Sequence, residues 1–232
     1  LKHQGRSLLL PGMTDRSKIG VDEDGLAELL EMAYKKRVAL RRVTYIPNRL
    51  TSGVIRKMAH FLTDGNDNRF MIVLDGSPAT GKTTLMQAMR QTLWWLSEQK
   101  IVSDDMELKI HDSVDFAGMR DSTREWYNLM NWPSYLGIED LGCEPAEILR
   151  WGNPLYPVRE VLTARYEQRL PMVVSTNLDS DQLREHLGLR IVSRMNEMAY
   201  YIHFENVDFR KIAWYAHHPE VQDNTTNQLS VL

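Results

Sequence analysis

The sequence predicts an α/β domain built on a parallel sheet with helices on both faces. Two observations carry that prediction. Residues 76–83, Gly-Ser-Pro-Ala-Thr-Gly-Lys-Thr, form a glycine-rich loop that follows a strand-like apolar run, Phe70 to Leu74, and precedes a helical stripe. Three further short apolar runs, Leu108 to His111, Tyr135 to Ile138 and Met172 to Val174, are separated by helical segments, notably Val158 to Gln168. Short apolar runs without polar alternation are strands buried on both faces, and strands alternating with helices pair in parallel.

The elements follow in order. Residues 1–20 mix Gly, Pro and polar residues without a period and read as a loose arm. From Asp22 a helix is expected, with Leu26, Leu29, Leu30, Ala33 and Leu40 at helical spacing and acids ahead of bases, as the helix dipole favours. Its bases Lys35, Lys36, Arg37, Arg41 and Arg42 are the densest positive cluster in the chain, read either as a solvated face or as a DNA or partner surface. Pro47 is expected to end that element. A second amphipathic helix begins near Thr51 or Ser52 and carries Val54, Ile55, Met58, Phe61 and Leu62, and Asp64-Gly65-Asn66-Asp67 turns the chain into the first strand.

After the glycine-rich loop, Leu85, Met86, Met89, Leu93 and Leu96 form a stripe expected to pack in the core, together with Trp94 or Trp95. The tail from His217 to Leu232 is polar and aperiodic, so partial disorder is expected, and His217-His218 reads as solvated tail rather than metal ligand.

Size and composition bound the function. A chain of 232 residues, 43% hydrophobic and 25% charged, has the composition of a soluble globular protein. It allows one sizeable α/β domain with a small accessory segment, or two small domains. No apolar run is long enough for a membrane span, and the polar start does not resemble a secretory signal, so a cytoplasmic location is expected. Cys143 is the only cysteine, which excludes an internal disulfide and a multi-cysteine zinc site; it reads as a small buried residue. With a net charge of −3 there is no global basic field, so any nucleic-acid contact must be a local patch.

The loop at Gly76 to Thr83 has the chemistry of a phosphate cradle. Glycines let successive N–H groups point inward, and the following helix turns its positive end to the same anion. Gly76, Ser77, Pro78, Ala79, Thr80 and Gly81 form the cradle, Lys82 reaches the β- and γ-phosphates, and the Thr83 hydroxyl binds Mg²⁺, with Thr84 a second hydroxyl candidate. A nucleoside triphosphate is the implied ligand. At the end of the run Tyr135 to Ile138 stand Glu139 and Asp140, which read either as a solvated corner or as an acid near Mg²⁺ (Glu139) and an acid near the attacking water (Asp140). Asn177 ends the next run and reads as an orienter of water or phosphate, or as a turn residue before a helix start at Asp179 to Gln182. Arg190 and Arg194 lie four apart, on one helix face, and either could offset charge on a transferred phosphoryl group, in a neighbouring subunit if the protein assembles.

In order and spacing, five segments resemble the AAA+ ATPases of the DnaC/DnaI helicase-loader and IstB transposition-helper family. They are residues 76–83, Ile-Glu-Asp-Leu-Gly at 138–142, Arg-Tyr-Glu-Gln-Arg-Leu-Pro at 165–171, Ser-Thr-Asn-Leu at 175–178 and Leu-Arg-Ile-Val-Ser-Arg-Met at 189–195, a resemblance that covers roughly residues 50–212. The first is shared by many ATPases, whereas the last three together are far more specific. The resemblance implies a P-loop NTPase of AAA+ type with a five-stranded parallel sheet, a short helical N-terminal segment and little or no lid domain. By the same likeness Lys82 and Thr83 belong to Walker A, Glu139 and Asp140 to Walker B, Asn177 to sensor I, Arg194 or else Arg190 to the arginine finger, and Arg210 to a second sensor.

One departure is visible: the family usually has Asp-Asp or Asp-Glu where this chain has Glu139-Asp140, an exchange that bears on hydrolysis more than on binding. The implied division is residues 1–50 as a partner-binding arm and helix, 51–215 as the ATPase core and 216–232 as a tail. The implied activity is ATP hydrolysis, with ATP and Mg²⁺ as cofactors, coupled to loading a replicative DNA helicase onto single-stranded DNA by a head-to-tail homo-oligomer. Delivery of duplex target DNA to a transposase, and an ATP-binding interaction module with little hydrolysis, are the alternatives.

Overall fold

The computed structural model describes residues 19–102 and 106–217. The expected arm before Ile19 and the expected tail after His217 lie outside the described residues.

Five strands form one parallel sheet: β1 (Met71–Gly76), β2 (Leu108–Asp112), β3 (Tyr135–Leu141), β6 (Met172–Thr176) and β7 (Ala199–Phe204), in the order β2-β3-β6-β1-β7. Between β3 and β6 a two-stranded antiparallel hairpin, β4 (Ile148–Arg150) and β5 (Asn153–Leu155), stands apart from the sheet. Side chains of β1 alternate between two cores, as the two-residue period of a strand requires. Ile72 and Leu74 join a cluster with α1 (Glu23–Ala39), α2 (Arg49–Thr63) and α3 (Lys82–Glu98), while Met71 and Val73 join another on the opposite face. That second cluster includes residues of α5 (Thr123–Met130), α6 (Pro157–Gln168), α7 (Ser180–Leu187) and α8 (Leu189–Met198). Both faces are therefore dry, which explains why the strand runs carry no polar alternation. A short α4 (Phe116–Met119) follows β2, and after β7 only the nine-residue α9 (Phe209–His217) remains among the described residues.

Helix starts follow the sequence closely. Asp22 caps α1 by accepting from the Gly25 N–H, Asn48 caps α2 by accepting from the Thr51 N–H, and Asp179 with Gln182 forms a capping box on α7. The expected start of α2 at Thr51 or Ser52 is thus moved back to Arg49 by the Asn48 cap. The first helix ends at Ala39 rather than at Pro47, and Leu40, expected on its apolar stripe, is its exposed C-cap. Leu26 and Leu30 are fully buried in the same cluster as Ile72 and Leu85, so α1 packs directly on the sheet domain.

Met86 and Met89 are buried as expected, but Trp94 and Trp95 are not: 57% and 40% of their surface is exposed. Leu93 and Leu96 already fill the inward positions of that turn of α3, so the two indoles point outward. Cys143 is likewise exposed rather than buried.

Arg165 is a charged residue at the centre of the fold. Fully buried on α6, it donates hydrogen bonds to the carbonyl oxygens of Leu129 (3.3 Å), Trp132 (2.9 Å), Ser134 (2.8 Å) and Pro171 (2.7 Å). It therefore ties the end of α5 to the entries of β3 and β6. Burial pushes its guanidinium down to about 9, which leaves it charged at neutral pH, and the four carbonyls need those N–H donors.

Candidate nucleotide site

The carboxyl ends of β1, β3 and β6 open on a cavity of about 830 Å³. This is where open parallel sheets place their ligands, and the size lies within the roughly 300–1,000 Å³ of small-molecule sites. Its walls include Pro78, Ala79, Thr80, Gly81, Lys82, Thr83 and Thr84 of the loop, with Asp140, Asn177 and Arg210 around them. Four distant parts of the sequence therefore meet there.

The loop has a cradle geometry. Gly76 and Gly81 hold φ at +134° and +103°, and a Cβ on either would come within 2.4 Å of another atom, the Phe204 carbonyl oxygen and the Tyr34 hydroxyl respectively. Only glycine fits both the backbone and the space. Ala79 is also left-handed, and its carbonyl accepts from the Phe209 N–H at 3.1 Å, so α9 closes over the loop. The Thr80 hydroxyl donates to the Ser77 carbonyl at 2.9 Å. Lys82 is buried, with its ammonium donating to the carbonyls of Gly76 and Ser77 at 2.6 Å each. Burial lowers its pKa, Asp140 and Asp75 oppose that shift, and Arg210 reinforces it. Lys82 and Arg210 thus face one space with Asp140 as the acid among them, a charge pattern that fits a polyphosphate with its metal.

Asp140 owes its position to an irregular strand. The register between β3 and β6 shifts between Ile138 and Leu141, and Asp140 takes φ +52°. Two serines hold that backbone: the Asp140 N–H donates to Ser175 Oγ at 3.0 Å, and Ser113 Oγ donates to the Asp140 carbonyl at 2.8 Å. Glu139, one residue earlier, is half-buried in register with Asp112 and is not part of the cavity wall. Asn177 is exposed on the cavity and is not the cap of α7, which is Asp179; the turn is made by Thr176 Oγ1 accepting from the Leu178 N–H. Its amide is therefore left to the cavity.

Arg190 and Arg194 both lie on α8 and away from this cavity. They differ in freedom. Arg194 is only 17% exposed, lies over the Tyr166 ring at 4.7 Å and is 3.4 Å from Glu167. Arg190 is exposed and has no such partner among the described residues.

The sequence reading omitted one whole wall. Tyr34, Arg41, Tyr45 and Ile46, from α1 and the loop after it, and Phe209 and Ile212 from α9 also line the cavity. Tyr34 meets Tyr45 edge-on at 5.9 Å, and its hydroxyl, pushed up to about 12 by burial against the opposing pull of Arg41 and a hydrogen bond with Thr84, stays protonated. Arg41 had been legible only as part of a basic cluster. In three dimensions that cluster divides: Lys35 pairs with Glu31, Arg37 bonds Gln87, and Arg41 turns to the nucleotide cavity.

Several solved structures are similar to this fold. The crystal structure of the DnaC helicase loader is 21% identical over 69% of this chain and 94% of its own, with a TM-score of 0.52. The likeness is one of fold: an α/β domain on a five-stranded parallel sheet. The chain is also similar to DnaI, at 23% identity over 69% of this chain and 87% of that one, TM-score 0.50. AMPPCP-bound DnaA from Aquifex aeolicus is 14% identical over 81% of this chain and 58% of that one, TM-score 0.50. No protein-family model matches the chain, and no curated protein matches it in sequence.

Proposed function

We propose that this chain is an ATP-dependent loader of a replicative DNA helicase onto single-stranded DNA, working as a head-to-tail homo-oligomer. The observation that carries the proposal is the shared wall of the nucleotide cavity, where Tyr34, Arg41 and Tyr45 of the N-terminal segment meet Lys82 and Thr84 of the loop. A partner gripping residues 1–50 and a nucleotide in the loop would act on the same atoms, so each would bias the other's binding. The similar DnaC structure is that of a helicase loader, which favours a helicase as that partner.

In this reading the loop backbone and Lys82 bind the phosphates of ATP, and Thr83 would hold Mg²⁺ with Glu139, which would have to turn in from outside the cavity wall. The metal, when bound, would neutralise charge on the β- and γ-phosphates. Asp140 directs the attacking water, Asn177 orients it or the γ-phosphate, and Arg210 completes the charge around the chain of phosphates. Between the two arginines of α8, the free Arg190 reaches a neighbouring subunit's site more readily than Arg194, which is held by Tyr166 and Glu167.

Size-exclusion chromatography of the protein with the cognate hexameric helicase, with and without a non-hydrolysable ATP analogue, tests the reading. Co-elution in either condition is expected; separate peaks in both would overturn it. Duplex-DNA filaments together with transposase binding would favour target-DNA delivery instead. A second reading, ATP held with little turnover, is favoured by the position of Glu139 outside the cavity wall. DNA-stimulated hydrolysis abolished by both Lys82→Ala and Arg190→Ala would exclude it.

A further inference from the structure

On the far edge of the sheet, a second cavity of about 500 Å³ lies between α1, α3 and the edge strand β2. Arg37, Gln87, Arg90, Gln91, Trp94 and Lys109 line it, and Glu107 is the only acid in its wall. None of the three bases forms an ion pair with a carboxylate among the described residues. Arg37 is held by the Gln87 amide oxygen, whereas the Lys109 ammonium lies 3.2 Å from the centre of the Trp132 ring, on the other face of β2 from Leu108 and Ile110, so Arg37 and Arg90 are the cations of the groove. Burial lowers the pKa of Arg37, and two nearby like charges lower it further, Arg90 in the same groove and Arg41 one turn along α1. An anion in the groove would relieve that repulsion.

The groove offers more than charge. Gln87, Arg90, Gln91 and Trp94 recur at helical spacing along one face of α3, a row about 10 Å long at 1.5 Å per residue. It alternates amide, guanidinium, amide and an indole that is 57% exposed. Guanidinium groups suit phosphate oxygens, amides suit base edges, and an exposed indole gives a base a face on which to stack. An acidic peptide would use the charges but leave the indole and amides without matched partners. A duplex would keep its bases stacked on one another and away from Trp94.

We propose that this groove binds single-stranded nucleic acid, with Arg37 and Arg90 on the phosphates and Trp94 stacked on a base. It rests on the loader reading for the source of the strand, but places it on the outer edge of the sheet, away from the nucleotide cavity. The chain's net charge of −3 makes such a local patch necessary for any strand contact.

The test is fluorescence anisotropy of labelled thymidine and uridine oligonucleotides of about 20 residues with the full chain, over a range of salt concentrations. For an Arg37→Gln/Arg90→Gln double variant, the slope of log affinity against log salt should flatten by about 1.4, from roughly 0.7 per lost phosphate contact. Trp94→Ala should weaken binding by about 5- to 100-fold with the slope unchanged, and Trp94→Phe should restore most of it. Unchanged affinity and slope in the double variant, or no strand binding by the parent chain, would overturn the proposal. Competition by polyglutamate equal to that by oligonucleotide and indifferent to Trp94 would also overturn it and assign the groove to an acidic peptide. Helicase co-elution is measured on the same variants. Its loss in the parent chain with strand binding intact would sink the loader reading alone.

Discussion

Replacing Arg165 with methionine keeps much of the side-chain volume and removes every donor. Four carbonyl oxygens, of Leu129, Trp132, Ser134 and Pro171, then lose their partner at a position that is fully buried. Each unsatisfied buried carbonyl costs about 1–3 kcal/mol. The removal of the desolvated charge itself offsets part of that sum, because a guanidinium is costly to bury. Water reaching the ends of α5 and β3 offsets more, so the expected net loss is about 3–5 kcal/mol against a total of roughly 5–15 kcal/mol for a domain. At about 2–4 °C per kcal/mol for a chain of this size, the midpoint of thermal unfolding by circular dichroism should fall by about 6–20 °C. Arg165→Lys should recover less than half of the loss, since one ammonium has three donors and no fork to reach four carbonyls. A melting point within about 2 °C of the parent for Arg165→Met would refute the reasoning, and would mean that the four bonds contribute nothing net.

Other outcomes follow from the site. Gly81→Ala should lower nucleotide affinity and cost about 1–3 kcal/mol of stability from left-handed strain and the clash with the Tyr34 hydroxyl; titration with a fluorescent ATP analogue and melting curves check it, and part of the cost should vanish in a Tyr34→Phe background. Asp140→Asn should leave stability within about 0.5 kcal/mol, because Asn tolerates φ +52° as well as Asp does, while abolishing phosphate release in a coupled ATPase assay. Burial lowers the pKa of His111, with Asp115 and Glu125 opposing and Lys109 reinforcing. The unfolded chain therefore takes up this proton first, so the contribution to stability is fully present above the unfolded value of about 6.5 and is lost as pH falls from there through the lower folded value. Urea unfolding between pH 5 and 8 should show a shallower slope for His111→Gln than for the parent.

The parts of the fold that were legible in the sequence are those where one signal acts alone. Met71 to Leu74, Tyr135 to Ile138 and Met172 to Val174 are buried on both sides, so their apolar runs are unbroken. β7 was not read because Tyr200, Tyr201 and His203 interrupt its run and because it leaves α8 directly, Met198 to Ala199, with no Gly, Pro or Asn between. The β4–β5 hairpin was missed because its strands have three residues each and carry Trp151, 94% exposed, at the turn. In the site, spacing and residue type marked the loop, Asp140 and Asn177, whereas Arg210 was marked by the family resemblance alone. Tyr34, Tyr45 and Phe209 carried no such mark. They look like ordinary core aromatics until the backbone brings α1, the loop after it and α9 over the phosphate loop. The exposure of Trp94 was hidden for the opposite reason: an apolar residue beside an apolar stripe is expected inside, and only the crowding of α3 by Leu93 and Leu96 turns it out.

The central placement of β1 bears on how the protein is made. Its two neighbours in the sheet are β6 and β7, and the roof of the loop is α9, all of them encoded long after the loop itself. At roughly 5–20 residues per second, a ribosome needs about 6–25 s to travel from Thr83 to Arg210. Throughout that interval the nascent chain carries the complete phosphate-binding sequence without a site that can use it. On the proposed reading, ATP therefore cannot template this domain as it emerges, and stabilisation by ligand begins only after α9 has been synthesised.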